Sequence, residues 1–415
     1  MLAQLLLTLQ SLVGPGTAPA PVIDLRGDMD GDHCNDILLA GVQRGGDYWF
    51  VYAAVYSGRT GELMHCVRAG MSGSAQPMNP SARIVGDVDG DGGCDYGLLW
   101  AEFDRNTNCL QLRSGRDGHL LTEWKHSRAY DVTGAKVDGS RGIYLLRGAG
   151  GHSVVEGYLL GKGGPALLRS VECVGSGMVL RALEDLDGDS CDEPLIGMPC
   201  GGFSSWSFGD PSWVRQYASR DGAVQTRIEG RHCEVDLQDQ LGQSLEPCGD
   251  FDGDGKEDFL AVAPGGDPLM NSPGYVLVCS GSDGSVLQTF GDPRACGGTT
   301  YLASPAGDMN HDGRADVLVA RGTRDNDSPA ELRFLSAGAE NGLPQLQGLD
   351  LVHDHIDVVA GGGDCDGDLI PDFVVGGRIV CQSSGELQLR SGRDGAVLRT
   401  IPIPPLPSLP TTLGK

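Results

Sequence analysis

The chain has 415 residues, 65 of them glycine, and aromatics make up only 6%. That length suffices for a large core, and abundant glycine without a triplet period means many turns rather than collagen. A net charge of −25 repels nucleic acid and anionic membrane surfaces, which excludes both as partners, and attracts cations.

Residues 1–20, MLAQLLLTLQSLVGPGTAPA, read as a possible signal peptide. A short apolar stretch ends in an A-x-A-like site at Ala18-Pro19-Ala20, although no Lys or Arg precedes it and Pro21 would follow the cut. Export places the mature chain in the medium, at the cell surface or in the periplasm. No later run is apolar for long enough to span a bilayer. Several of the 13 cysteines are then expected to pair, with at least one left over, the alternative being buried free thiols. No CxxC spacing points to zinc.

From residue 21 an acidic pattern recurs. Its copies are GDMDGDHCNDILLAG (27–41), GDVDGDGGCDYGLLW (86–100), EDLDGDSCDEPLIGM (184–198), GDFDGDGKEDFLAVA (249–263), GDMNHDGRADVLVAR (307–321) and GDCDGDLIPDFVVGG (363–377). Each reads D-x-D/N-x-D-x-x-x-D/E and then turns apolar. A second element follows each at a distance: SGRTGEL (57–63), SGRDGHL (114–120), SRDGAV (219–224), SGSDGSVL (280–287), SGRDGAVL (391–398), and more loosely GKGGPAL (161–167) and SAGAENGL (336–343). One unit, near 130–168, is degenerate. Aligning its GIYLLRG (142–148) with DILLAG puts Gly134, Lys136, Asp138 and Gly142 where the carboxylates should be, and the Lys136 ammonium could stand in for a cation. Counting that unit, seven fill residues 21–404, roughly 50–65 residues apart, before a Pro-rich tail at 405–415.

Within a unit the runs are short and β-rich. DFLAVA (258–263), GYVLVC (274–279) and SVLQTF (285–290) read as strands, and the segment before each acidic loop, such as SARIV (81–85), supplies a fourth. Helical periodicity is absent. Four antiparallel strands repeated seven times predict an all-β fold, a seven-bladed β-propeller of four-stranded blades with calcium-binding loops.

Calcium takes six to eight oxygens, so carboxylates at positions 1, 3 and 5 of a tight loop suit it, with a carbonyl at 7 (Lys256 in the fifth unit) and a carboxylate at 9 completing the shell. The candidate ligands are Asp28, Asp30, Asp32 and Asp36; Asp87, Asp89, Asp91 and Asp95; Asp185, Asp187, Asp189 and Glu193; Asp250, Asp252, Asp254 and Asp258; Asp308, Asn310, Asp312 and Asp316; and Asp364, Asp366, Asp368 and Asp372. An EF-hand needs a bidentate Glu at position 12. Here that position is Leu39, Leu98, Ile196, Ala261, Val319 or Val375, which excludes it. Magnesium fits less well, because it prefers few carboxylates and many waters. About six structural Ca²⁺ ions would roughly halve the net charge.

These loops, the apolar strand after each, and traces of a G-A-P signature at Ala263-Pro264-Gly265 and Gly197-Met198-Pro199 resemble the FG-GAP repeat, the blade of the integrin α-subunit propeller and of many bacterial secreted proteins. The SG(R/S)DG element resembles that of the bacterial type. The FG half is weak or absent, so the likeness to integrins proper is distant. The resemblance implies seven blades with calcium between the first two strands of a blade, and no single activity.

In a four-stranded meander the acidic loops and the SGRDG turns share one face. The long irregular segments fall on the other: 197–213, 227–244, 263–274 and 320–331. Long loops on a rigid scaffold are where binding is expected. The aromatics Phe203, Trp206, Phe208, Trp213 and Tyr217 are the candidate ligand-binding residues, able to stack on sugar rings or anchor a protein; the alternative is that they cover a blade edge. Asp325 and Asp327 lie on a neighbouring loop. Arg26-Gly27-Asp28 spells an RGD tripeptide, but Asp28 opens a loop. His353 and His355 lack a third ligand. No catalytic residue is identified. The sequence therefore reads as a monomeric, exported binding or adhesion module for a protein or carbohydrate ligand, with calcium structural. The alternative is a carbohydrate-active enzyme, such as a polysaccharide lyase, on the same scaffold.

Overall fold

The computed structural model describes residues 22–45, 48–71, 80–102, 107–149, 152–161, 164–175, 177–199, 212–230, 239–264, 274–293, 299–323, 331–337, 356, 358–377 and 386–402. They form seven antiparallel sheets. Blade 1 is β1 (Val22–Gly27), β2 (Asp36–Gly45), β3 (Tyr48–Tyr56) and β4 (Leu63–Met71). Blade 2 is β5 (Ser81–Gly86), β6 (Asp95–Glu102), β7 (Thr107–Arg113) and β8 (Leu120–Ser127). Blade 3 is β9 (Ala129–Val137), β10 (Ser140–Ala149), β11 (His152–Leu159) and β12 (Ala166–Cys173). Blade 4 is β13 (Val179–Leu183), β14 (Glu193–Met198), β15 (Trp213–Tyr217) and β16 (Val224–Glu229). Blade 5 is β17 (Ser244–Gly249), β18 (Asp258–Ala263), β19 (Tyr275–Cys279) and β20 (Val286–Gly291). Blade 6 shows β21 (Thr299–Gly307), β22 (Asp316–Thr323) and β23 (Glu331–Leu335) among the described residues, and blade 7 is β24 (Val358–Gly363), β25 (Asp372–Gly377), β26 (Glu386–Arg390) and β27 (Val397–Pro402).

The first strand of each blade is innermost. β1 packs on β5, β5 on β9, β9 on β13, β13 on β17, β17 on β21, β21 on β24, and β24 back on β1, so the ring closes. Closure uses no shared strand. Instead, Tyr56 Oη donates to the Pro402 carbonyl and Asn35 N–H to the Asp364 carbonyl across the seam between blades 7 and 1.

The apolar runs follow from this stacking. A blade is covered on both sides, so its second strand must be apolar at every position rather than at alternate ones. β14, β18 and β25 are buried throughout. Successive residues serve different interfaces: Ile37 and Leu39 enter the core shared with blade 7, and Leu38 and Ala40 the one shared with blade 2. All six position-12 residues lie in these strands and are buried. No helix is present among the described residues, and none is long and apolar enough to cross a membrane.

Two expectations change. Blade 3 does not carry an acidic loop with substituted ligands; the loop is shortened to a two-residue hairpin. Asp138 and Gly139 turn between β9 and β10 at φ 48° and 72°, the conformation a type I′ turn requires. Gly134 and Lys136 are thus strand residues, and the exposed Lys136 side chain occupies no ligand position. The cysteines also differ. Nine are described, all are free thiols, and seven are buried as small core residues. The pairing expected of an exported chain is absent among them. The leader, the tail and His353 and His355 lie outside the described residues.

Candidate functional site

Each acidic loop joins the first strand of a blade to the second, and one wiring recurs. The position-1 carboxylate accepts backbone N–H groups from positions 4 and 6, as Asp250 does from Gly253 at 2.6 Å and Gly255 at 2.8 Å. Position 4 takes a left-handed φ, which explains its glycine: Gly253 sits at 84°. Positions 3 and 5 each use one oxygen to accept the N–H two residues on, at 3.0 Å from Asp254 to Asp252 and 2.9 Å from Lys256 to Asp254. Their second oxygens take no backbone N–H of the loop; that of Asp254 accepts from the Ser282 hydroxyl.

The position-9 carboxylate knits three segments together. One oxygen of Asp258 accepts from Phe251 N–H in its loop, and the other from Gly281 N–H in the turn between β19 and β20. Asp36, Asp95 and Asp372 do the same through Gly58, Gly115 and Gly392. This explains the SG(R/S)DG element. A Cβ on Gly392 would lie 1.9 Å from the Pro371 carbonyl oxygen, and one on Gly281 equally close to that of Glu257. Gly392→Ala should destabilise the chain by about 2–4 kcal/mol in urea unfolding, because backbone faces backbone and neither can yield; a loss under about 0.5 kcal/mol would show the turn to be slack. Blade 4 departs in both partners: Ser219 replaces the glycine and Glu193, one methylene longer, replaces the aspartate.

Loops also bond to the neighbouring blade. Cys94 N–H donates to the Asp28 carbonyl at 2.8 Å, Asp192 N–H to that of Lys136 at 3.1 Å, and Ala315 N–H to that of Asp250 at 2.8 Å, besides the closing bond from Asn35. The acidic face is therefore a girdle of loops clasping neighbouring blades.

The donor sets suit a hard cation. Ligand oxygens of Asp28, Asp30 and Asp32 lie within 4.8 Å of one another, as do those of Asp87, Asp89 and Asp95; of Asp185, Asp187, Asp189 and Glu193; of Asp250, Asp252 and Asp254; and of Asp364, Asp366 and Asp372. In blade 6, Asn310 Nδ2 instead donates to Asp312 at 3.2 Å. Fully buried Glu193 keeps Oε1 without any hydrogen-bond partner. Burial, reinforced by the neighbouring loop carboxylates, pushes Glu193 up to about 8, Asp36 and Asp372 to about 7, and Asp95, Asp258 and Asp316 to about 6. A divalent cation would reverse that penalty.

The central channel carries a second constellation, which the sequence reading missed. Glu246 on β17 pairs with Arg26 at 3.3 Å, Arg83 at 3.0 Å and Arg181 at 3.0 Å, linking blade 5 to blades 1, 2 and 4. Asp24 pairs with Arg26 and Asp131 with Arg181. Three positive and three negative groups balance. Arg26 is thus turned to the channel, so the RGD tripeptide does not present its guanidinium. A signal existed: Asp24, Arg83, Arg181 and Glu246 all lie four residues before the first aspartate of a loop. Above this network a cavity of about 280 Å³ lies at the start of the inner strands, opposite the acidic loops, walled by Val22, Ile23, Tyr301, Val358 and Val359.

The aromatic candidates divide. Trp213 and Tyr217 are not on a loop: both point from one face of β15 into the core between blades 3 and 4, 8% and 0% exposed. Tyr217 Oη donates to the Val174 carbonyl, and Arg215 stacks on the Trp213 ring. That removes them as ligand-binding residues. Phe203, Trp206, Phe208, Asp325 and Asp327 lie outside the described residues.

A family model described as an FG-GAP-like repeat matches residues 250–319, spanning the loops of blades 5 and 6. Among solved structures the chain is similar to a rhamnogalacturonan lyase PL11 of Bacillus licheniformis, at 15% identity and a TM-score of 0.48, covering 91% of this chain and 72% of that one. It is also similar to the exotype rhamnogalacturonan lyase YesX, at 16% identity, TM-score 0.45, and 93% and 65% coverage. A Dos1 propeller follows at 10% identity, TM-score 0.40, and 89% and 84% coverage. Likenesses this distant say nothing of activity. No curated protein matches the chain.

Proposed function

We propose that this chain, an FG-GAP-repeat β-propeller by its repeats and its ring of blades, is an exported binding module for a protein or glycan ligand, its acidic loops holding structural calcium. One observation carries the reading. Four of the position-9 carboxylates join loop, strand and turn of one blade through both oxygens, so the acidic face works to hold each blade together. The ligand is then left the opposite face, where the channel cavity opens, lined by Val22, Ile23, Val358 and Val359 and by the charged Asp24, Arg26, Arg83 and Glu246. Calcium is supported by the converging carboxylates and by the unpartnered oxygen of buried Glu193. Export is supported by the leader alone.

The test is a glycan and surface-protein array probed with the full chain in about 1 mM calcium, a level matched to extracellular calcium modules. A retained ligand should be lost, at least tenfold in affinity, by Val22→Lys and Val359→Lys, which place charge on the cavity wall, in variants whose circular dichroism shows the ring still folded, since both valines also pack against blade cores. Retention indifferent to both variants would remove the ligand from the channel. Release of unsaturated sugar, seen as new ultraviolet absorbance, would make the chain a lyase instead.

A further inference from the structure

Each acidic loop faces the turn between the third and fourth strands of its own blade, and the third residue of that turn varies. In blades 1 and 7 it is arginine. Arg59 Nε lies 2.8 Å from Asp32 Oδ2, and Arg393 Nε 2.8 Å from Asp368 Oδ2. In blades 2 and 4 the arginine stands further off, Arg116 at 3.6 Å from Asp91 and Arg220 at 4.0 Å from Asp189, although Arg169 of blade 3 also reaches Asp189 Oδ2 at 3.6 Å. In blade 5 the residue is Ser282, whose hydroxyl donates to Asp254 Oδ2 at 2.5 Å. Among the described residues no guanidinium nitrogen comes within 4.0 Å of an Asp254 carboxylate oxygen, although the guanidinium of Arg314 from blade 6 lies over the Gly253 backbone without pairing.

The oxygen involved matters. Oδ1 of each position-5 aspartate already accepts the position-7 N–H, at 2.8 Å in Asp32 and 2.9 Å in Asp254 and Asp368. Oδ2 is what remains for a metal, and it is Oδ2 that the arginine takes. A guanidinium there offsets one of the loop's four carboxylates without metal and repels a divalent ion that enters. Arg59 and Arg393 are more than half exposed, so they can swing aside, at the loss of their pairing.

We propose that these arginines are built-in counter-ions that grade the loops: blade 5 binds calcium most tightly, blades 1 and 7 most weakly. The inference rests on the calcium reading above. Partial calcium would then fill the ring unevenly, and the seam between blades 7 and 1, flanked by the two guarded loops, would tighten last.

Calcium titration of the chelator-stripped full chain by calorimetry tests this. The wild type should show sites of more than one affinity. Arg59→Gln with Arg393→Gln should tighten two weak sites about tenfold each, and Ser282→Arg should weaken one tight site by a similar factor. Melting gives a second readout. The double variant should melt below the wild type in chelator and at or above it in saturating calcium, a reversal that a merely structural ion pair would not produce. Calcium binding by the wild type with unchanged isotherms in both variants overturns the arginine proposal alone. A wild type that binds no calcium overturns it together with the calcium reading.

Discussion

Excess chelator should lower the melting temperature of the full chain by about 5–10 °C, and about 1 mM calcium should restore it. The magnitude follows from mass action. Extracellular calcium modules bind at ~10⁻⁴ to 10⁻³ M, so each site adds about 0.4–1.4 kcal/mol at ~1 mM. Several such sites would act together on a ring whose loops bond to neighbouring blades. The pH dependence has a fixed sign. Burial raises the position-9 carboxyls to about 6–8 in the folded chain, above their unfolded values. The stability associated with their protonated form is complete in acid and lost as pH rises through that range. Metal-free protein should therefore melt at falling temperature from about pH 5 to 8, while the increment from calcium grows. Asp24, whose burial is outweighed by Arg26 and Arg83, is held low and works the other way only in stronger acid. A melt indifferent to verified metal removal would end the structural-calcium reading. A chelated melt that rises with pH would show the buried carboxyls to be ionised without cost.

The acidic loops were legible because their register is rigid. Each ligand position sits at a fixed offset from a strand that must be apolar throughout, so the apolar twelfth residue identified both strand and loop. The SG(R/S)DG turns were visible as a repeat, but their reason was not: only the fold brings the Gly392 N–H onto Asp372, more than a dozen residues away. Blade 3 was misaligned because a deleted loop, compared without a gap, puts Gly134 where strand β9 runs. Trp213 and Tyr217 followed a run of Gly, Ser and Asp and read as loop. Their alternation in WVRQY, with Arg215 between them on the same face, is what a strand gives. The channel network left only one trace in the sequence, a charged residue four positions before the first aspartate of four loops. Its members come from separate blades and meet only across the axis.

Glu246→Ala should destabilise the ring by about 3–5 kcal/mol, the usual result of removing one partner from a buried charge network. Glu246 is 15% exposed in its side chain and faces Arg83 and Arg181, 10% and 6% exposed. Without it, three guanidiniums confront only Asp24 and Asp131, and one positive charge is left uncompensated in the channel. Removing an arginine as well restores the balance. Glu246→Leu combined with Arg83→Met should therefore lose less than the two single changes added together, with a coupling of about 1–3 kcal/mol in a double-mutant cycle. Urea unfolding at constant calcium measures both quantities. Calcium stoichiometry should stay unchanged, since the network stands below the cavity and contributes no loop ligand. Additive losses would mean that the arginines find other partners. A loss under about 1 kcal/mol for Glu246→Ala would mean that water already screens the channel, and the cavity above would then be an open aqueous shaft rather than a floored pocket.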